Sequence, residues 1–166
     1  TTSDLSEAAS LEVLVAALTE QVHALSFDLQ PAMLSEVGLV PVLSWQFQRF
    51  QAQTGIEVMF EERGMDRRPM LPIETAVYRI VHVALINAAR HDRVRQVQVQ
   101  LQQQDRQLRL HVWHEGEGAA VEALALYQSG LAHLQRQARQ HQGEVAVTQS
   151  PDRGAVLTAS FPLART

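Results

Sequence analysis

Residues 72–113 read PIETAVYRIVHVALINAARHDRVRQVQVQLQQQDRQLRLHVW, and a change of period inside this stretch decides the fold. Up to His91 the apolar residues Ile73, Val77, Ile80, Val81, Ala84, Leu85 and Ala88 recur at helical spacing, over a face broad enough to be buried. From Val97 the period drops to two. Val97, Val99 and Leu101 alternate with Gln98, Gln100 and Gln102; Leu108, Leu110 and Val112 alternate with Arg109, His111 and Trp113, across a turn at Gln104 to Arg106. A buried helix followed by a hairpin with one apolar face predicts a sheet that carries helices on one side.

Working outward, a second helix is predicted between Gly38 and Gly55, with Leu39, Leu43, Phe47 and Phe50 on one face and Pro41 tolerated in its first turn. A short strand over Ile56 to Phe60 follows, and the charged stretch Glu61 to Pro69 reads as an exposed connection. Beyond the hairpin come HEGEG, a segment from Ala119 to Tyr127, a helix from Leu131 to Gln142 stopped by Gly143, and strands over Glu144 to Gln149 and Ala155 to Phe161. At the start, Leu11, Val15, Leu18, Val22, Leu25 and Leu29 alternate steps of four and three, the period of a helix that pairs with another helix; Pro31 ends it. The expected fold is α+β: a two-layer α/β sandwich with helices on one face of a mixed sheet, preceded by a protruding helix. Residues 1–30 form that helix and 31–166 the globular domain.

Composition narrows the chemistry. All 14 basic residues are arginine, against 18 acidic ones, for a net charge of −4. The absence of lysine removes a Schiff-base or P-loop lysine, and the absence of cysteine removes a disulfide, a thiolate zinc site and a cysteine nucleophile. His111 and His133 have no metal-ligand spacing to a partner, so zinc is not expected. Mild acidity gives no general attraction to nucleic acid. With no apolar span near 20 residues and no leader pattern, the chain reads as cytoplasmic, including the cytoplasmic part of a longer membrane protein.

Four segments carry a resemblance: LQPAMLSEVGLVPVL at 29–43, YRIVHVALINAARH at 78–91, HEGEG at 114–118 and GEVAVTQSPDRGAVLTASFPL at 143–163. In this order they make Leu25 to Leu163 similar to the C-terminal part of a sensor histidine kinase of the nitrate- and desaturase-sensor group. The resemblance implies that 1–30 is the second helix of a dimerisation hairpin whose first helix, with the phosphoacceptor, is not in this sequence. It implies that 31–166 is an ATP-binding catalytic domain of the GHKL (Bergerat) type. Implied cofactors are ATP and Mg²⁺; implied partners are a second copy through the first helix, a response regulator and an upstream sensor region, with no nucleic acid.

The resemblance also assigns residues. Asn87 offers its side-chain oxygen to Mg²⁺, a hard cation that selects such ligands. Arg90 and His91 lie on the same helical face, where a basic pair meets phosphates. His114, Gly116 and Gly118 occupy the adenine-reading glycine box, and Gly130 with Leu131 the second one. Four positions depart from the pattern. Val83 replaces a glutamate four residues before Asn87, which leaves no catalytic acid–base group and forfeits ~10²- to 10⁴-fold in rate. His114 replaces the adenine-reading aspartate, and Glu115, one residue on, points to the opposite face. His133 stands on a glycine position and Ala155 on a threonine position. His23 is followed by Ala24 and not by an acid, so it is not the acceptor. The expected function is therefore the ATP-binding domain of a sensor histidine kinase with weak or no nucleotide binding, inactive as an isolated chain. The alternative is a non-enzymatic, dimerising signal-relay module of the same fold. An anti-sigma-type serine kinase of the same superfamily fits the leading helix less well.

Overall fold

The computed structural model describes residues 32–90, 93–115 and 130–164. The predicted seam at 11–29, with His23, and the segment 119–127 lie outside them. A helical segment over 32–37 ends at Gly38 and is followed by α1 (Leu39–Thr54), β1 (Glu57–Arg63), α2 (Leu71–Ala89), β2 (Gln96–Gln104), β3 (Gln107–Glu115), α3 (130–139), β4 (Glu144–Ser150) and β5 (Gly154–Pro162). The strands form one five-stranded sheet in the order β1-β2-β3-β5-β4. β1 pairs with β2 in parallel and every other contact is antiparallel, so the sheet is mixed, as expected.

Alternation along the strands puts most large apolar residues on one side. Val97, Val99, Leu108, Leu110, Val112 and Leu157 are buried there against Val77, Ile80, Val81 and Ala84 of α2. Val42, Leu43 and Phe47 of α1 extend this core over β1, where the Phe47 and Phe60 rings lie 5.1 Å apart, and Leu134 and Ala138 of α3 extend it over the other half. Among the described residues the opposite face of the sheet is open. There the glutamines of β2 bond along and across strands: Gln96 donates to Glu57 at 2.8 Å, Gln98 to Gln96 at 2.7 Å and Gln100 to Glu61 at 3.0 Å. Trp113 belongs to this open face by alternation, yet it is only 5% exposed, because the Arg153 guanidinium lies 4.2 Å above its ring.

The two-residue hairpin turn is made by Asp105 and Arg106, both at positive φ, the primed geometry that matches strand twist. Two expectations need correction. Glu61, Glu62 and Arg63 are not connection but strand, because parallel register with Gln100, Leu101 and Gln102 gives their backbone partners at a sheet edge where charged side chains still reach water. Gly143 is not the residue that turns the chain out of α3. Gln142 takes the left-handed conformation (φ 58), and the Gly143 N–H bonds back to Ala138 at 2.8 Å. Glycine is needed at 143 because a Cβ there would overlap the buried Phe161 ring.

Candidate nucleotide site at the end of the sheet

α2 and β3 start at the same end of the molecule. Ile73, in the first turn of α2, lines one cleft with Gln104, Asp105 and Arg106 of the hairpin turn. From there the 19 residues of α2 run ~28 Å and the nine of β3 ~30 Å. Asn87 and Arg90 at the end of one, and His114 at the end of the other, therefore arrive together at the far end of the sheet. α3 runs back beside α2, since Gln137, Gln140 and His141 meet Leu71, Thr75 and Arg79. Its first residues, Gly130 and Leu131, thus point toward the C-terminal half of α2.

Asn87 is 7% exposed, and its side-chain amide makes no hydrogen bond among the described residues. With no described neighbour on it, the amide oxygen stays available as an acceptor for a ligand. The α2 carbonyl end adjoining it carries partial negative charge, which favours a cation. No group of three His, Asp or Glu side chains that could hold a metal exists among the described residues, so a cation at Asn87 would draw its remaining oxygens from phosphate and water, the usual habit of Mg²⁺. The residues present thus fit MgATP at this position. Arg90 follows as the exposed C-cap, its N–H bonded to Ile86 at 3.2 Å and Asn87 at 3.3 Å.

Val83, one turn before Asn87, is part-buried and packs against the core. The only carboxylate on α2 is Glu74, ~20 Å from Asn87 along the helix. Residue 83 therefore supplies an apolar wall and no proton acceptor. His114 is 5% exposed on the core side of β3, opposite Val97, while Glu115 is exposed, as alternation requires. Gly130 opens α3, and a Cβ there would meet nothing within 4 Å. His133 is exposed, with Nε2 3.1 Å from the Gln137 amide on its own helix. Ala155 is 2% exposed inside the core. His91, Gly116 and Gly118 lie outside the described residues.

Two polar groupings along α2 went unread in the sequence. Gln46 of α1 reaches His82 Nδ1 at 2.9 Å, and His82 stacks on Tyr78, their rings 6.1 Å apart. Burial raises the Tyr78 phenol above its usual range, with Arg49 opposing. Glu74 is fully buried and paired with Arg68 at 3.0 Å. A carboxylate inside the apolar stripe Ile73, Ala76, Val77 was the available signal, because a buried charge demands a partner. On the open face, burial and then the charges of Arg153 and Arg109 hold His111 below the usual histidine range.

No helix among the described residues is long and apolar enough to cross a membrane. A signal transduction histidine-protein kinase/phosphatase, DegS, of Brevibacillus brevis is 25% identical over 159 residues, which is 96% of this chain and 41% of the relative. The chain thus spans well under half of that relative's length. The catalytic domain of histidine kinase ThkA superposes with a TM-score of 0.53 at 15% identity, over 76% of this chain and 93% of the other, and shares its fold. The ATP-binding domain of PrrB from Mycobacterium tuberculosis is also similar, with a TM-score of 0.49 at 17% identity over 72% of this chain and 92% of that one. The model of the family described as histidine kinase-, DNA gyrase B-, and HSP90-like ATPase matches residues 73–165, which begin at the first turn of α2 and take in Asn87, His114 and Gly130. The chain belongs to this ATPase family.

Proposed function

We infer that the chain is the nucleotide-binding part of a two-component sensor histidine kinase whose pocket has weakened, so that ATP binds poorly or not at all. The observation that carries nucleotide binding is Asn87, an asparagine 7% exposed whose amide no described residue engages, at the end where α2, β3 and α3 converge. In this reading Asn87 holds Mg²⁺ and Arg90, with His91, screens phosphate charge; bound MgATP would supply the phosphoryl group. His114 faces the base from the core side of β3, and Gly130 lets the start of α3 approach the phosphates. Val83 excludes water from the helix face but takes no proton, and Glu74 is committed elsewhere, so no carboxylate on α2 assists the transfer.

Residues 1–30 would pair two copies, and the segment order from 25 to 163 favours the nitrate- and desaturase-sensor group, with a response regulator downstream and a sensor upstream in a longer, cytoplasm-facing protein. Sedimentation of a monomer at high concentration would remove the pairing. The second reading, a signal-relay module without enzymatic activity, is favoured by Val83 and His114 together.

Calorimetric titration with MgATP and MgADP decides between them. Replacing a charge-assisted hydrogen bond to the base by His114 costs ~1–3 kcal/mol, or ~5- to 150-fold in affinity. Millimolar or absent binding is expected, and the H114D/H133G variant should recover saturable binding. Micromolar affinity of the unaltered chain would show that His114 is a working replacement. No recovery in the double variant would favour the relay module.

A further inference from the structure

The ion pair between the exposed Arg68 and the buried Glu74 sits where three segments meet. Glu74, in the first turn of α2, accepts from Arg68 Nε at 3.0 Å on Oε1 and from Nη2 at 3.0 Å on Oε2. Its Oε1 also accepts the Leu39 N–H, at the first residue of α1, at 3.3 Å. The same guanidinium donates outward to the backbone of segment 32–37, to the Ser35 carbonyl at 3.0 Å and to the Leu34 carbonyl. Between these two helical pieces Gly38 turns the chain at φ 86; a Cβ there would come 3.5 Å from Arg68 Nε and 3.7 Å from Glu74 Oε1. Carbonyls leaving one helical piece thus meet the cation, and the amide opening the next meets the anion. Four of the five guanidinium N–H donors of Arg68 have a named acceptor in this arrangement, counting one per contact.

We propose that Arg68 and Glu74 are positioning residues: a polar joint that sets the direction in which the chain upstream of Leu34 enters the domain relative to α2. Leu34, wholly buried, is the pivot, and the ion pair removes the rotation about it. Because α2 begins at this joint and carries Asn87 at its other end, the joint ties the orientation of the incoming segment to the nucleotide end. The inference goes beyond the nucleotide reading and holds whether or not ATP binds.

A fold without cysteine permits the test by paired spin labels on the full chain. Labels at the exposed positions Glu36→Cys and Gln104→Cys report the angle of the incoming segment, and Gln53→Cys, also exposed, with Gln104→Cys reports the body; labelled protein is diluted into unlabelled protein so that only distances within one chain are read. Arg68→Met with Glu74→Leu removes both charges together, so that no buried carboxylate is left without its partner. The expected result is a broadened 36–104 distance distribution beside a narrow 53–104 one. Arg68→Lys keeps the charge but cannot fork to both oxygens and both carbonyls, and it should broaden the first pair partway. Narrow 36–104 distributions in a folded Met/Leu variant would overturn the proposal. If that variant does not fold, a wild-type distribution in Arg68→Lys overturns it instead.

Discussion

Gly143→Ala adds one methyl group at the junction of α3 and β4, and the structure sets what it meets. The new Cβ would overlap the edge of the Phe161 ring and lie 2.9 Å from the Ser160 carbonyl oxygen, where carbon atoms prefer ~3.5–4.0 Å. Phe161 is 1% exposed, so the ring cannot swing to solvent, and the Ser160 carbonyl is backbone of β5 in register with Glu144. Overpacking of this kind costs about 1–3 kcal/mol, while the stiffer unfolded chain returns roughly 0.4–1 kcal/mol. A net loss of ~1–2 kcal/mol is expected. Phe161→Leu alone leaves a gap and is also destabilising, but in the double variant the smaller side chain makes room for the methyl group. The two losses should then fail to add by ~0.5–3 kcal/mol. Urea unfolding followed by tryptophan fluorescence, at constant m-value, measures all three. Wild-type stability of Gly143→Ala, or strict additivity in the double variant, would refute the steric account.

Asn87→Leu should leave the fold close to wild-type stability, since no described residue bonds to the amide it removes; in the H114D/H133G background it should abolish the Mg²⁺-dependent part of nucleotide binding, which titrations with and without Mg²⁺ detect. His111 predicts a pH dependence. Its folded pKa lies below the unfolded value of ~6.5, so the fold favours the neutral ring; its contribution is complete above pH ~6.5 and is lost as pH falls toward the folded pKa. His111→Gln should therefore flatten the decline in unfolding midpoint between about pH 7.5 and 5, and an identical decline in both proteins would exclude His111 as its source.

The sheet is legible in the sequence where one face is buried. In β2 and β3 apolar residues recur at every second position, so register and facing follow from the pattern, including the opposite orientation of His114 and Glu115. The end of β1 is not legible, because Glu61 to Arg63 gain their order from backbone pairing with β2 and their side chains carry no apolar signal. Gly143 reads as a helix stop, yet its constraint comes from Phe161, 18 residues on, which local turn chemistry cannot reveal. The same holds for Glu74, whose partner Arg68 lies in a stretch that reads as solvent loop. Asn87 and Val83 stand out through the resemblance of their helix, whereas the burial of Asn87 is visible only once the helix is packed.

The one parallel contact of the sheet has a consequence for how the chain acquires its shape. β2 with β3, and β4 with β5, are hairpins that close through short turns, but Glu57 of β1 must find Gln96, 39 residues later, after α2 has been laid across the sheet. Closing that long loop is slow compared with forming a hairpin. β1 leaves a ribosome before the strand that receives it, and α1 is bound to it through Phe47 on Phe60 and through Gln51, whose side chain accepts the Val58 N–H at 2.9 Å. α1 and β1, made before β2, are thus seated after it, and until β2 emerges they depend on whatever shields them from solution.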